Sequence, residues 1–233
     1  MYRLEDISPK VRAQINAAQF PMKTIGKELE DLDGYYPNSE KTSVIETIRD
    51  WMGYVIDGSV IRAKGSDSCG LGLLFIGEPG HGKTTLASVV GQSLIRLAPK
   101  ETWGPAEQII SRPVFFTDYP KLLRLQKRQW DESEETEKSL IDAIYGEAKP
   151  GDNVRLLILD DLGKEYRTAS GWSENTFDAL LRARYNAGLP TIVTTNTPMS
   201  EWADAYGDSM ASFAHEAFVP LAIISTRGDR RRK

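Results

Sequence analysis

Hydrophobic residues recur along this chain with two spacings, one typical of buried strands and one typical of helices. Short, nearly continuous apolar runs predict strands at residues 71–76, 114–117, 155–160, 191–195 and 220–225. Apolar residues spaced three and four apart predict helices at residues 83–97, 119–129, 134–146 and 173–187. Because apolar strands that alternate with helices are covered on both sides, the pattern predicts an α/β domain with a five-stranded, mainly parallel sheet between helices.

A further helix is predicted before the first strand. Ser43 and Glu46 form a capping-box pattern at its start, and Gly58 marks its end. Four residues that break regular structure interrupt the chain before it: Pro9, Pro21, Gly34 and Pro37. Residues 1–40 are therefore predicted as an irregular arm with one short helix after Ser8, available for contact with a partner, and residues 41–233 as the α/β domain.

The composition narrows the class of protein. The 233 residues are 40% hydrophobic and 27% charged, and no apolar run approaches the roughly 20 residues of a membrane-spanning helix. Cys69 is the single cysteine, which excludes a disulfide within the chain and a cysteine-built metal site. With no secretion signal at the start, these features predict a cytoplasmic protein without membrane association. The net charge of −4 limits any nucleic-acid binding to local basic patches.

Residues 77–84 carry the pattern of a phosphate-binding loop. They match the Walker A motif at every fixed position: Gly77, Glu78, Pro79, Gly80, His81, Gly82, Lys83 and Thr84. The glycines let backbone N–H groups approach phosphates, and the following helix directs the positive end of its dipole at the same anion. Lys83 is expected to neutralise the β- and γ-phosphates of ATP, and Thr84 to bind Mg²⁺, with Thr85 also in contact with the nucleotide. A glycine-rich turn without a ligand is the alternative.

Two acidic residues, Asp160 and Asp161, end the third predicted strand after four apolar positions. Ligands of open α/β sheets bind at the carboxyl ends of the strands, so both carboxylates are predicted at the site. Asp160 is expected to hold Mg²⁺ and Asp161 to act as the general base for the attacking water. Taken alone, the pattern also fits a strand that runs into an acidic surface turn.

The next strand ends at Thr194, Thr195 and Asn196. A short polar side chain at that end of the sheet can reach the γ-phosphate and orient the water. Asn196 is therefore predicted as a catalytic residue beside Lys83 and Asp161, and an asparagine that only forms the turn before Pro198 is the alternative.

Four stretches make the chain resemble the AAA+ helicase loaders of the DnaC and DnaI type and the related IstB-type transposition ATPases. They are residues 70–87, 114–127, 156–163 and 180–198. The resemblance implies a P-loop AAA+ core, ATP with Mg²⁺ as cofactors and self-association on ATP. It also implies that the protein delivers a replicative helicase onto single-stranded DNA.

In that family the segment after the second strand contacts single-stranded DNA. Here it is the helix at 119–129 and the residue that follows it. Its candidate DNA contacts are Lys121, Arg124, Lys127, Arg128 and Trp130. The cations would follow phosphates and the indole would stack on a base. A solvated basic face with a packed Trp130 fits the same residues equally well.

The family also uses an arginine that acts across the subunit interface. The matching stretch, residues 207–213, has Ser212 near the expected place, and no Lys or Arg occurs between Arg184 and Arg227. Four arginines are left as trans-acting or sensor candidates: Arg182 or Arg184 before the fourth strand, and Arg227 or Arg231 near the end of the sequence. A salt bridge from Arg184 to Glu174 or Asp178 is the alternative. Because the last predicted strand lies close to residue 233, no full helical lid domain is expected.

Three functions stay open on this evidence. The leading hypothesis is an ATP-dependent loader of a replicative DNA helicase, from a bacterium or a bacteriophage, that hydrolyses ATP slowly without its partner. A transposition helper ATPase shares nearly every motif. A non-hydrolysing adaptor, which would bind ATP to hold a partner, agrees with the missing arginine. A small-molecule kinase is disfavoured, because no lid would shield phosphoryl transfer from water.

Overall fold

The computed structural model describes residues 1–32, 36, 43–60, 69–104, 110–131, 135–149, 151–164 and 171–226, without the side chains of residues 128–131 and 135–137. Its strands are β1 (Gly72–Ile76), β2 (Val114–Asp118), β3 (Leu156–Leu162), β4 (Thr191–Thr195) and β5 (Phe218–Ala222). They form one sheet in the order β2-β3-β4-β1-β5, and each neighbouring pair is parallel. The predicted five-stranded parallel sheet is confirmed.

The last strand is displaced from its predicted range. β5 begins at Phe218, opposite Gly72, and ends at Ala222, opposite Ile76. The N–H of Ile223 still donates to the carbonyl of Ile76, the last residue of β1, at 2.7 Å, and the register between the two strands ends there. The partner strand, rather than the apolar run, therefore sets the bounds of β5.

The helices are α1 (Pro9–Ala17), α2 (Val44–Ile56), α3 (Lys83–Leu97), α4 (Lys100–Trp103), α5 (Tyr119–Asp131), α6 (Glu135–Tyr145), α7 (Trp172–Asn186), α8 (Trp202–Tyr206) and α9 (Asp208–Ala217). Each predicted helix is present, with ends within two residues of the expected ones where a range was given. The sequence pattern does not predict α4, α8 or α9. Helix α4 has only 4 residues, and Gly207 divides the segment of α8 and α9 into pieces too short to show a clear helical period.

Both faces of the sheet are buried, which explains the continuous apolar runs. Successive side chains of a strand point to opposite faces. On β1, Leu73 and Phe75 belong to one hydrophobic core and Leu74 belongs to the other. Helices α1, α2 and α3 supply the first core, and helices α5 to α9 supply the second.

The N-terminal segment packs on the domain through its described residues. Ile15 of α1, Phe20 and Leu29 are buried in the same core as the first face of the sheet. Phe20 approaches α3 so closely that a Cβ atom at Gly91 would lie 2.9 Å from its ring. The predicted arm therefore contributes to the core, while its predicted boundary at residues 40–41 lies outside the described residues.

The start of this segment follows the sequence expectation. The Ser8 hydroxyl accepts the N–H of Val11 at 3.3 Å, which caps the short helix α1. After α1, the N–H of Phe116 on β2 donates to the carbonyl of Ala18 at 2.8 Å. The segment thus reaches the sheet by a backbone hydrogen bond as well as by apolar packing.

Candidate nucleotide-binding site

The loop at residues 77–82 joins the carboxyl end of β1 to the first residue of α3. Gly80 and Gly82 each have a φ of +88°, a left-handed conformation that favours glycine. Gly82 is the N-cap residue of α3, a helix of 15 residues whose first N–H groups have no partner within the helix. The sequence therefore builds an anion-binding loop at this edge of the sheet.

Lys83 lies folded over this loop. Its Nζ donates to the carbonyl oxygens of Gly77 at 2.7 Å and Glu78 at 3.0 Å, and to Oδ1 of Asn196 at 2.7 Å. Only 6% of Lys83 is exposed. The fold thus brings the lysine of the loop into contact with the polar residue that follows β4, 113 positions away in sequence.

Thr84 and Asp160 are the second pair that the fold brings together. The Thr84 hydroxyl lies 3.0 Å from both carboxylate oxygens of Asp160, and Thr194 donates to Oδ1 of the same carboxylate at 2.5 Å. Burial raises the pKa of Asp160, and the hydrogen bonds from Thr194 and Thr84 oppose that shift. A hydroxyl and a buried carboxylate side by side are the hard oxygen ligands that Mg²⁺ prefers.

The donor set fits Mg²⁺ only together with a nucleotide. No group of three or more His, Cys, Asp or Glu residues suited to a metal occurs in the described part of the chain. The ion would therefore rest on Thr84, Asp160, phosphate oxygens and water, which is the usual arrangement for Mg²⁺ with a bound nucleotide.

A β-bulge separates the two aspartates. Leu159 pairs with Val193 and Leu162 with Thr195, so β3 contains one residue more than β4 in this interval. Asp161 occupies the bulge with a φ of +60°, and its N–H donates to Thr194 Oγ1 at 3.0 Å. On a regular strand consecutive side chains point to opposite faces, whereas here Asp160 reaches Thr84 and Asp161 lies in the wall of the adjacent pocket.

These groups surround a pocket of about 260 Å³. Its lining residues are Lys23, Lys27, Pro79, Gly80, Gly82, Lys83, Thr84, Thr85, Asp161, Lys164 and Asn196. Gly77 and Glu78, which the sequence predicted as nucleotide contacts, are not among the described lining residues, and their carbonyl oxygens accept hydrogen bonds from Lys83. His81 turns towards the end of β5, where its Nδ1 accepts the N–H of Ser225 at 3.0 Å.

Sequence reasoning missed four residues of this site. Lys164 forms an ion pair with Asp161 at 2.6 Å, and its place three residues after the acid pair could have indicated it. The sequence places Thr194 at the end of a strand but gives no sign that its hydroxyl contacts both aspartates. Lys23 and Lys27 come from the N-terminal segment, where no motif signals a role at the loop.

The predicted DNA-contact helix, α5, starts at the same edge of the sheet. Asp118, the last residue of β2, pairs with Asp160 on β3. Arg124 and Lys127 are exposed, whereas Lys121 is half-buried and donates to Gln19 at 3.1 Å. The side chains of Arg128 and Trp130 lie outside the described part of the structure.

The placement of Arg184 corrects two expectations. Its side chain is 0% exposed and donates to the carbonyl oxygens of Ile144, Val154, Arg155 and Pro190 and to Oγ1 of Thr191, at 2.5–3.3 Å. Burial lowers the pKa of Arg184 to about 9, so the guanidinium stays charged at neutral pH. A group so enclosed cannot reach a neighbouring subunit, and the salt bridge to Glu174 or Asp178 is wrong as well.

The neighbouring arginine makes the ion pair instead. Arg182 Nε lies 2.9 Å from Oδ1 of Asp178, and the guanidinium also donates to Ser209 at 3.1 Å. The other two candidates for a trans-acting or sensor arginine, Arg227 and Arg231, lie outside the described residues.

A parallel sheet in this order, with a P-loop after β1 and an acid pair on β3, is the fold of an AAA+ P-loop core. A family model described as "IstB-like ATP binding protein" matches residues 8–217, and the chain belongs to that family. The match takes in most of the N-terminal segment, whereas the resemblance seen in the motifs began at residue 70. Comparison with curated proteins gives no significant match.

Solved structures share this fold. The crystal structure of the DnaC helicase loader superposes with a TM-score of 0.61 at 24% identity, over 88% of this chain and 100% of that chain. The crystal structure of DnaI gives 0.58 at 20% identity, over 88% and 95%. The replication initiator DnaA bound to AMPPCP and single-stranded DNA gives 0.58 at 14% identity, over 91% of this chain and 53% of that chain.

The lengths and hydropathies of the described helices were compared with those that a membrane-spanning helix needs. None of them is both long enough and apolar enough to cross a bilayer.

Proposed function

We propose that this protein hydrolyses ATP with Mg²⁺ and uses the nucleotide to load a replicative DNA helicase onto single-stranded DNA. The observation that carries the hydrolytic part is the meeting of Lys83, Asn196 and Asp161 in the wall of one pocket. Three roles of phosphoryl chemistry are thereby represented at one place: charge neutralisation, orientation of the water, and acceptance of its proton.

The residues act on a bound triphosphate as follows. The loop N–H groups and Lys83 hold the phosphates, and Thr84 with Asp160 would hold Mg²⁺. The metal, when bound, draws charge from the phosphate oxygens. Asn196 orients the attacking water and Asp161 accepts its proton, while Lys164 holds the Asp161 carboxylate at the pocket wall. Because no arginine lines the pocket among the described residues, we expect slow hydrolysis by the protein alone.

Two observations support the loader role. The fold matches DnaC and DnaI over nearly the full length of those chains. The exposed cations Arg124 and Lys127 lie on α5, which begins beside the acid pair, where nucleotide and DNA contacts can influence each other. We further propose that ATP favours self-association of the loader.

The family match favours a second candidate, a helper ATPase of transposition. A transposition helper would bind target DNA and a transposase rather than a helicase. A third candidate, an adaptor that binds ATP without hydrolysis, is favoured because no arginine lines the pocket in the described part of the chain.

One experiment separates the three. The purified protein is mixed with the replicative helicase of its host and circular single-stranded DNA, with ATP or with a non-hydrolysable analogue, and helicase on the DNA is quantified after gel filtration. ATP-dependent transfer of helicase to DNA, lost in Lys83→Ala, supports the loader. Failure to bind any helicase while ATP is still hydrolysed contradicts it and leaves the transposition helper. ATP binding without measurable hydrolysis identifies the adaptor.

A further inference from the structure

We infer that Lys23 and Lys27 bind the polyphosphate chain of the nucleotide held by the P-loop. The inference rests on the proposed function, because it extends the same site. Both lysines belong to the N-terminal segment, in and just after the 3-10 helix Met22–Thr24. Both line the pocket together with Lys83 and Thr84, although some 60 residues separate them from the loop in sequence.

A buried glutamine fixes the lysine-bearing turn to the helix of the P-loop. Gln92 of α3 is 0% exposed, and its amide nitrogen donates to the carbonyl of Thr24 at 3.0 Å. Its amide oxygen accepts the N–H of Gly26 at 3.1 Å and the hydroxyl of Tyr2 at 2.8 Å. The backbone on both sides of Ile25 is therefore tied to the helix that begins at Lys83, which holds the turn in a constant position relative to the loop.

The charges of the pocket favour a polyanion. Among the described residues, four lysines and one carboxylate, Asp161, line it. Lys164 pairs with that carboxylate at 2.6 Å. Neither Lys23 nor Lys27 forms a salt bridge within the part of the chain that the structure describes. Asp31 is affected only weakly by Lys27, because its lowered pKa arises first from the hydrogen bond of the Glu28 N–H and last from the charge of Lys27. Like charges around one small pocket repel each other, and a triphosphate would convert that repulsion into attraction.

The exposure of the two lysines suits this role. Lys23 is exposed and Lys27 is half-buried, so both ammonium groups can move towards a ligand without breaking an internal ion pair. Because the attraction grows with the charge of the ligand, the two lysines favour ATP over ADP. The two lysines thereby add positive charge to a pocket that no arginine lines among the described residues.

The test replaces the charge and keeps most of the size. We compare Lys23→Gln, Lys27→Gln and the double variant with Lys10→Gln, an exposed lysine of α1 that does not line the pocket. Fluorescent ATP and ADP analogues are titrated at low and at high salt. Each single substitution should weaken ATP binding about three- to tenfold, and the double substitution should weaken it further. All three variants should lose less affinity for ADP than for ATP. The salt dependence of ATP binding should become shallower, which a purely structural defect would not cause.

A second measurement needs no variant. ATP should slow chemical acetylation of Lys23 and Lys27 in the wild-type protein and leave Lys10 unchanged, as followed by mass spectrometry. The inference is wrong if both variants bind ATP within twofold of wild type and ATP protects neither lysine, while Lys83→Ala loses binding. If Lys83→Ala itself binds ATP normally, the proposed nucleotide site is wrong instead. Weakened DNA binding with unchanged ATP binding would likewise overturn the inference.

Discussion

The hydroxyl of Thr194 on β4 donates a hydrogen bond of 2.5 Å to Oδ1 of Asp160 on β3. The hydroxyl oxygen of Thr194 in turn accepts the N–H of Asp161 at 3.0 Å. One hydroxyl therefore holds the side chain of the first aspartate and the backbone of the second. It does so at a bulge where Asp161 has a φ of +60°, which is uncommon for a residue other than glycine. Thr194 is thus a positioning residue for both carboxylates.

Replacement of Thr194 by Val should reduce ATP turnover far more than ATP affinity. Valine has the same shape but no hydroxyl, so the hydrogen bonds to the Asp160 carboxylate and from the Asp161 N–H are both lost. Without them Asp161 no longer has a fixed orientation in the bulge. A stability loss of about 1–3 kcal/mol is also expected from the unsatisfied N–H. Thr117→Val on β2 is the matched control, because Thr117 is also a buried strand threonine and its hydroxyl donates to the carbonyl of Asp118 at 3.3 Å. Equal losses of turnover in the two variants would contradict the positioning role.

Asp160→Asn should stabilise the protein at neutral pH when nucleotide and Mg²⁺ are absent. Burial raises the pKa of Asp160, so the ionised carboxylate costs folding free energy above that pKa. As the pH falls through the raised pKa, the wild-type carboxyl takes up a proton and the difference between the two proteins should shrink. Urea unfolding of both proteins between pH 7 and pH 4 measures this difference in the free energy of unfolding. The exposed Asp152→Asn serves as control, and a destabilised Asp160→Asn protein at pH 7 would refute the argument.

Asp161→Asn should leave ATP binding unchanged and slow hydrolysis at least about a hundredfold, the usual contribution of a positioned general base. A neutral amide cannot accept the proton of the attacking water. Lys83→Ala, in contrast, should abolish binding itself. Titration of a fluorescent ATP analogue and phosphate release under single-turnover conditions distinguish the two effects. Normal turnover in Asp161→Asn would remove Asp161 from the mechanism.

Arg184→Ala should destabilise the protein by about 3 kcal/mol or more, because several buried acceptors lose their donor and each costs about 1–3 kcal/mol. Arg184→Lys should recover part of the loss, since three donors replace five. Urea unfolding at neutral pH measures both. A stable Arg184→Ala protein whose ATPase rate no longer rises with protein concentration would instead restore the trans-acting role that its burial argues against.

Charge reversal at Arg124 and Lys127 together should weaken binding of single-stranded DNA and flatten its salt dependence. Both side chains are exposed on α5, and the contact that the reversal removes is the exposed ion pair of Arg124 with Asp118 at 3.9 Å, which contributes little to stability. Reversal of the exposed Lys138 and Lys149 changes the net charge equally and provides the control. Fluorescence anisotropy with a labelled oligonucleotide at several salt concentrations gives the comparison. Equal effects of both pairs would mean that net charge, rather than the α5 surface, governs the interaction.

The parts of this protein that depend on near neighbours in the chain could be predicted from the sequence. Apolar runs between helical periods identified the strands and helices, because burial on two faces requires such runs. The phosphate-binding loop at 77–84 could be predicted because its glycines, its lysine and the first residues of the following helix are consecutive in the sequence. The order of motifs along the chain also indicated which residues meet at one edge of the sheet, since carboxyl ends of parallel strands lie together.

Features that depend on contacts between residues far apart in the chain could not be predicted from local patterns. The bulge at Asp161 arises from the register of β3 against β4, and no local pattern reveals an extra residue in a pairing. The burial of Arg184 follows from carbonyl groups of three separate segments that turn inward around it, so its helix alone gave no sign of it. Lys23 and Lys27 reach the pocket because Gln92 binds the backbone of their turn, a contact between residues more than 60 positions apart.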